Sequence, residues 1–265
     1  MCGIAGYSLH PDSSLNRTLA AQALLAGIAE RGADAVGYAY RGPAEGFSTV
    51  VKQRTPASSL LERIRVPQDA TQVLVHVRDY TKGHPSTAAN NHPVRHGPVV
   101  GIHNGIIVND DEILGCFECS RSEPRMTVDS EAIFAVAAHS RAEAVALEDL
   151  RGAMATAWLD ERAPDVLYAA RGVGRPLWLG RGHGATFFAS TRDALAVVER
   201  YVRIRLRKQE VREGTFLAVR DGEVARRERF RPDHGFVEAD PLPSVRAPQE
   251  AVSCLARLAV LSAAA

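Results

Sequence analysis

A chain of 265 residues is long enough to bury about 70–75% of its unfolded surface, as one large domain or two small ones. With 46% hydrophobic and 24% charged residues its composition is that of a globular protein, and a net charge of +1 argues against nucleic acid or an anionic membrane as a bulk partner. No apolar run reaches membrane-span length, and the first residues lack the basic and apolar regions of a signal peptide. Four cysteines (2, 116, 119 and 254) are too few for a disulfide scaffold and fit a reducing compartment, so a cytoplasmic location is expected.

Taken in order, Met1 to Gly6 reads as a strand, and Pro11 to Ser14 as a turn. Leu19, Ala23, Leu24, Ala26 and Ile28 keep helical spacing up to Gly32. The pattern then predicts strands at Val36–Tyr40 and Val50–Val51, a short helix around Leu60–Ile64, and a strand at Thr71–Val77 that runs into the polar loop Arg78–Ser86. Val99–His103 reads as a strand ending in Asn104-Gly105, and Asp129–Ala138 as a helix with an acidic start. Further strands are expected at Met154–Leu159, Val166–Ala170, Leu177–Leu179 and Thr186–Ala189, then a helix at Thr191–Arg200. The alternating run Arg203–Lys208 reads as a strand with one wet face. Gly214–Val219 and Glu223–Arg227 pair through the hairpin signal Asp221-Gly222. There is neither a repeat nor a regular strand–helix alternation, so the fold class is α+β with antiparallel sheets. Residues 1–231 are expected to form one domain. Residues 232–265, with Pro241, Pro243 and Pro248, are expected to form a linker and a short tail apart from the core, with a helix at 249–262.

The chemistry centres on Cys2. Removal of Met1 leaves a residue that carries both a thiol and an α-amine, and an amine with a pKa of roughly 7.7–8.0 serves as base for the thiol beside it. Three polar loops complete a constellation. Arg78 is a fork for a carboxylate, or a surface ion pair. Asn104 with Gly105 supplies the two donors of an oxyanion hole, or a hairpin turn. Asp129 pairs with a ligand ammonium, or caps a helix. Read together, these residues describe a pocket for an α-amino acid whose side-chain carbonyl is attacked by Cys2.

Many segments in order carry a resemblance to one family: Met1-Cys2-Gly3-Ile4, Arg31-Gly32, His76-Val77-Arg78 with Thr81 and Gly83, Asn91-His92-Pro93, His103-Asn104-Gly105, Asp129-Ser130-Glu131, Leu150-Arg151-Gly152 and Ala189-Ser190-Thr191. Over about residues 2–230 the chain resembles the glutaminase domain of class II, N-terminal-nucleophile glutamine amidotransferases, most of all that of glucosamine-6-phosphate synthases, without their sugar-phosphate isomerase half. The resemblance implies a four-layer αββα sandwich of two antiparallel sheets. It also implies hydrolysis of the L-glutamine side-chain amide through a Cys2 thioester. Cys2, Asn104 and Gly105 would be catalytic, and Arg78, Thr81, Gly83 and Asp129 substrate-binding, with no cofactor or metal. Ammonia would pass to a separate acceptor subunit. Two rivals are another N-terminal-nucleophile amidohydrolase for γ-glutamyl or acyl amides, and a degenerate binding or regulatory subunit.

The sequence departs from the family at Asp79-Tyr80-Thr81-Lys82. An acid beside Arg78 is expected to repel a ligand carboxylate unless its side chain points away, with Lys82 to compensate. Cys116-Phe117-Glu118-Cys119 is a lone CxxC, with no second pair at metal-finger spacing, so no zinc is expected there. His96 and His103 stand too far off in sequence to complete it, and His139 receives no role.

Overall fold

The computed structural model describes residues 1–42, 46–239 and 243–263. The chain begins with β1 (Gly3–Leu9), helix α1 (Arg17–Ile28), β2 (Ala35–Arg41), β3 (Thr49–Gln53), the short helix α2 (Ala57–Leu61) and β4 (Gln72–Arg78). Next come β5 (Val94–His96), β6 (Val99–Ile107), α3 (Asp110–Cys116) and α4 (Glu131–Ser140). The second half supplies β7 (Gly152–Asp160), β8 (Val166–Arg171), β9 (Trp178–Gly182), β10 (Ala185–Ala189) and α5 (Arg192–Val202). It closes with β11 (Arg207–Glu210), β12 (Thr215–Arg220), β13 (Glu223–Arg229) and α6 (Pro248–Ala263).

The strands form two sheets with antiparallel neighbours, one in the order β11-β9-β10-β1-β4-β2-β3 and the other β13-β12-β8-β7-β6-β5. Helices α1, α2, α5 and α6 cover the outer face of the first sheet, and α3 with α4 covers the second. This is the αββα sandwich that the resemblance implies.

Strand alternation builds the inner layer. On β1, Ala5, Tyr7 and Leu9 face the helices while Ile4 faces the other sheet. Gly6 also faces inward, and a Cβ there would stand 2.5 Å from the Phe188 ring, so its bareness lets that ring fill the gap between the sheets. Helix α1 is buried on nearly all sides because α5 and α6 lie against it as well as the sheet. Asn16 fixes its start by accepting from the Leu19 amide at 2.9 Å.

Several expectations need correcting. β6 does not end before Asn104-Gly105 but continues through both to Ile107, where Asn104 pairs with Ala155 and Gly105 with Met154. The hairpin-turn reading of that dipeptide therefore falls. In the basic run only Arg207 and Lys208 join a strand, because Arg203 sits in the left-handed region (φ 58°) and ends α5. The strand expected at Leu177–Leu179 begins one residue later. The C-terminal helix is not apart from the core: Cys254 and Leu258, four residues apart, are fully buried against the first helical layer. The segment just before it is not detached either, since Arg246 and Ala247 both donate to the Glu30 carbonyl at 2.9 and 2.8 Å. Pro241 lies outside the described residues.

Candidate active site

The alternation that makes the inner layer also gathers the chemistry. Cys2 is two residues before Ile4 and so shares its inward side. On β4, Val73, Val75 and Val77 face the helices, which turns His76 and Arg78 inward. On β6, Val100 and Ile102 lie in the inner core, and Asn104 continues that row. Because Gly3 pairs with Val77, the start of β1 and the end of β4 lie at one end of the sandwich.

Two cavities, each of about 10 Å³ and room for one water molecule, share Cys2, Thr81 and Gly105 as walls. One adds Asn104, Arg175 and Glu238, and the other adds Arg78, Val128 and Asp129. Six of the seven expected site residues thus line these cavities, and Gly83 stands behind the wall, where its carbonyl accepts from Arg78. A far larger cavity of about 960 Å³ lies among His10, Leu15, His183, Arg203 and Glu223, and shares no residue with Cys2's surroundings. Chemistry outweighs size in choosing between them.

The Cys2 thiol donates to the Asp79 carbonyl at 3.3 Å, and burial pushes its pKa up. A thiol so placed needs a base in contact with it. The Cys2 carbonyl is held by Arg31 Nε at 2.8 Å, a role that the Arg31-Gly32 motif did not announce. Asn104 is fully buried, and neither its Oδ1 nor its Nδ2 has a hydrogen-bond partner among the described residues. An unsatisfied buried amide costs about 1–3 kcal/mol, and a ligand oxygen accepting from Nδ2 would recover the donor's share. Beside it, Gly105 has φ 147°, and a Cβ there would lie 1.9 Å from the Ala153 carbonyl oxygen, so only glycine fits.

Arg78 is buried and already engaged. It donates to Asn91 Oδ1 at 2.7 Å, to the Lys82 carbonyl at 2.9 Å and to the Gly83 carbonyl, so it is no surface ion pair. Gly83 adopts φ 79°, where a Cβ would press on Asn90 and Val128. Behind Arg78, His76 and His92 stack with centroids 4.2 Å apart, and burial keeps both neutral, His76 with a pKa of about 3. Neither is placed to serve as a general base at neutral pH.

Asp129 does not cap α4 with its side chain. Its Oδ2 accepts instead from the Ile107 amide at 2.7 Å, while Ser130 stands at the cap position. The carboxylate is buried, has no ion-pair partner among the described residues, and is pushed up to a pKa of about 6 by that burial. Asp79 points away from Arg78, toward the Met1 ammonium and Arg246 (3.5 Å). Lys82 does not compensate it, because its ammonium is bound to Asp110 of α3 at 2.6 and 2.8 Å. Arg175 and Glu238, paired at 2.5 Å, close the Asn104 side.

Residues 83–197 match the family model described as a glutamine amidotransferase domain. The chain is 34% identical over 216 residues to the glutamine–fructose-6-phosphate aminotransferase (isomerizing) of Escherichia coli, covering 76% of this chain and 33% of that one. To the Thermus thermophilus enzyme of the same name it is 32% identical over 252 residues, covering 88% and 39%. It therefore spans little more than a third of these curated relatives. Among solved structures, the glutamine phosphoribosylpyrophosphate amidotransferase of B. subtilis aligns with a TM-score of 0.67 at 20% identity, over 86% of this chain and 49% of that one. A glutamine aminotransferase class-II domain protein from Silicibacter pomeroyi aligns at 0.53 and 16%, over 87% and 100%. These last two show the shared fold.

Proposed function

The chain carries a class II, N-terminal-nucleophile glutamine amidotransferase domain, and from that premise we propose that it hydrolyses the side-chain amide of L-glutamine through a thioester on Cys2. The observation that carries the reading is the Asn104 amide, buried and without a partner among the described residues, in a wall shared with the Cys2 thiol. Removal of Met1 exposes the α-amine of Cys2, which takes the thiol proton. The thiolate adds to the amide carbon, and the oxyanion is held by Asn104 Nδ2 and the Gly105 amide. Collapse expels ammonia with the proton returned by the amine, and water then cleaves the thioester to glutamate and the thiol.

Asp129 receives the α-ammonium of glutamine. Arg78 exchanges loop carbonyls for the α-carboxylate, a stronger, charge-assisted acceptor. Thr81 and Gly83 belong to the loop that must move to admit the side chain, since the cavities hold only about one water each. Residues 1–231 are the proposed catalytic unit. The ammonia is proposed to pass to an acceptor site outside this sandwich, such as a separate subunit would supply. A cytoplasmic location is proposed on the four unpaired cysteines.

The test is glutamate release from L-glutamine, des-amino glutamine and simple acyl amides, with intact mass measured on the same sample. Turnover of L-glutamine alone, by protein lacking Met1, is expected. Equal turnover of amides without the amino-acid end would favour a general amidohydrolase. Binding without turnover by protein lacking Met1 would favour a degenerate subunit.

A further inference from the structure

Away from Cys2, the lone CxxC acquires partners that its sequence neighbours do not reveal. One nitrogen each of His96 and His139 and the sulfur of Cys119 lie within 4.8 Å of one another. His96 comes from β5, Cys119 from the loop after α3, and His139 from the last turn of α4. His103, the other histidine weighed from sequence, turns elsewhere and bonds Ser130 at 2.8 Å. We propose that His96, Cys119 and His139 form a three-ligand site for a divalent metal of the zinc type.

The donor set and its spacing support this. Zinc takes imidazole and thiolate together, with Zn–N of about 2.0–2.1 Å and Zn–S of about 2.3 Å, so a tetrahedral ion separates sulfur from nitrogen by about 3.6 Å. Cys119 Sγ stands 3.7 Å from His139 Nε2. His139 Nδ1 lies 2.9 Å from the Ala135 carbonyl, which can only accept. The ring proton is therefore on Nδ1, and the Nε2 lone pair is directed at the sulfur. Phe117 stacks on this ring at 4.3 Å and holds its plane. His96 Nδ1 lies 3.0 Å from Glu131 Oε1, a fully buried carboxylate, and 2.9 Å from Ser122 Oγ. Backbone carbonyl and buried carboxylate are the two outer partners that metal-bound histidines characteristically use.

The loop is folded to present the thiol. Glu118 takes φ 52°, and the Cys119 amide bonds back to the Leu114 carbonyl at 2.9 Å, which reverses the chain toward α4. Cys119 is half-buried and His139 exposed, so an ion can reach the cluster from solvent. Cys116 is exposed and outside the cluster. A bound ion would tie α3 and β5 to α4. α3 holds Lys82 through Asp110, and α4 starts directly after Asp129 and Ser130, so the ion would brace the frame of the amino-acid pocket.

Purified full-length protein, stripped with a chelator, is titrated with cobalt(II) alone and then with zinc(II). One cobalt per chain with a thiolate-to-metal charge-transfer band is expected, and zinc should displace it. Cys119→Ser should abolish the band and His139→Gln should weaken binding at least tenfold. Glu131→Gln should weaken it about 10–100-fold. Cys2→Ser and Cys116→Ser should keep the band. Circular dichroism and melting of metal-free Cys119→Ser, matched to metal-free wild type, separate ligand loss from misfolding. No band in the wild type, a band that survives Cys119→Ser, or one lost in Cys116→Ser would overturn the three-ligand site and leave a thiol–imidazole hydrogen bond.

Discussion

Replacing Asp129 by asparagine tests the amino-acid pocket most sharply, because the carboxylate is buried without an ion-pair partner among the described residues. Its pKa moves from 3.8 to about 6 through burial. Two units correspond to about 3 kcal/mol against the folded state at pH 7, where the group is about nine-tenths ionised. The sign follows from proton uptake: the folded protein binds this proton more tightly than the unfolded chain. Its contribution is therefore most favourable below pH 3.8 and is lost as pH rises through about 6. Asparagine keeps an oxygen for the Ile107 amide and removes the charge, so Asp129→Asn should melt higher than wild type at pH 7, with the gap shrinking toward pH 4. A ligand ammonium supplies the missing partner, so wild-type kcat/KM for glutamine should fall as pH drops through about 6. In Asp129→Asn that acidic limb should disappear, together with the discrimination against des-amino glutamine. Melting by calorimetry and pH profiles of kcat/KM for both substrates provide the readout. An unchanged acidic limb in the variant, or an unchanged substrate ratio, would refute the ammonium-binding role.

Asn104→Ala removes no side-chain hydrogen bond to the described residues of the resting protein, since neither side-chain amide atom has one there. It should lower kcat about 10²–10³-fold with KM little changed, as loss of an oxyanion donor does. Steady-state kinetics in which only KM rises would remove Asn104 from that role. The cysteines should divide by reagent: Cys116 is exposed and should react first with a simple alkylating agent, whereas a diazo-ketone glutamine analogue should label the half-buried Cys2. Peptide mapping that finds the analogue mainly on Cys116, Cys119 or Cys254 would sink the thioester mechanism.

The strands and helices were legible because their signals are local, whereas their stacking as an αββα sandwich came from the family resemblance. Alternation in Thr71–Val77 and in the strand from Val99, and the spacing of Leu19 to Ile28, describe faces that exist before any tertiary contact. The same parity carries Cys2, Arg78 and Asn104 to one side of their sheets. Sequence failed where parity meets backbone detail. Asn104-Gly105 has the composition of a turn, yet the glycine is there because the backbone of β7 approaches so closely that a side chain would strike the Ala153 carbonyl. A prolines-and-charges stretch such as 232–248 likewise reads as a detached linker, although the amides of Arg246 and Ala247 are bound to the Glu30 carbonyl.

Polar partners were the least legible part, for a physical reason. Lys82 finds Asp110 28 residues away, His96 finds Glu131 at 35, and Cys119 finds His139 at 20. None of these intervals is a helical or strand period, so no pattern in the chain announces them. They arise because α3 and α4 pack against the same sheet and bring their loops together. The consequence reaches the site itself: Asp79 and Lys82, which as neighbours in sequence looked like a compensating pair, are drawn to different ends of the pocket, one to the chain terminus and Arg246, the other to α3. Lys82 then leaves Asp129 without a direct ion-pair partner among the described residues, and a buried, unpaired carboxylate gives a ligand ammonium a reason to bind.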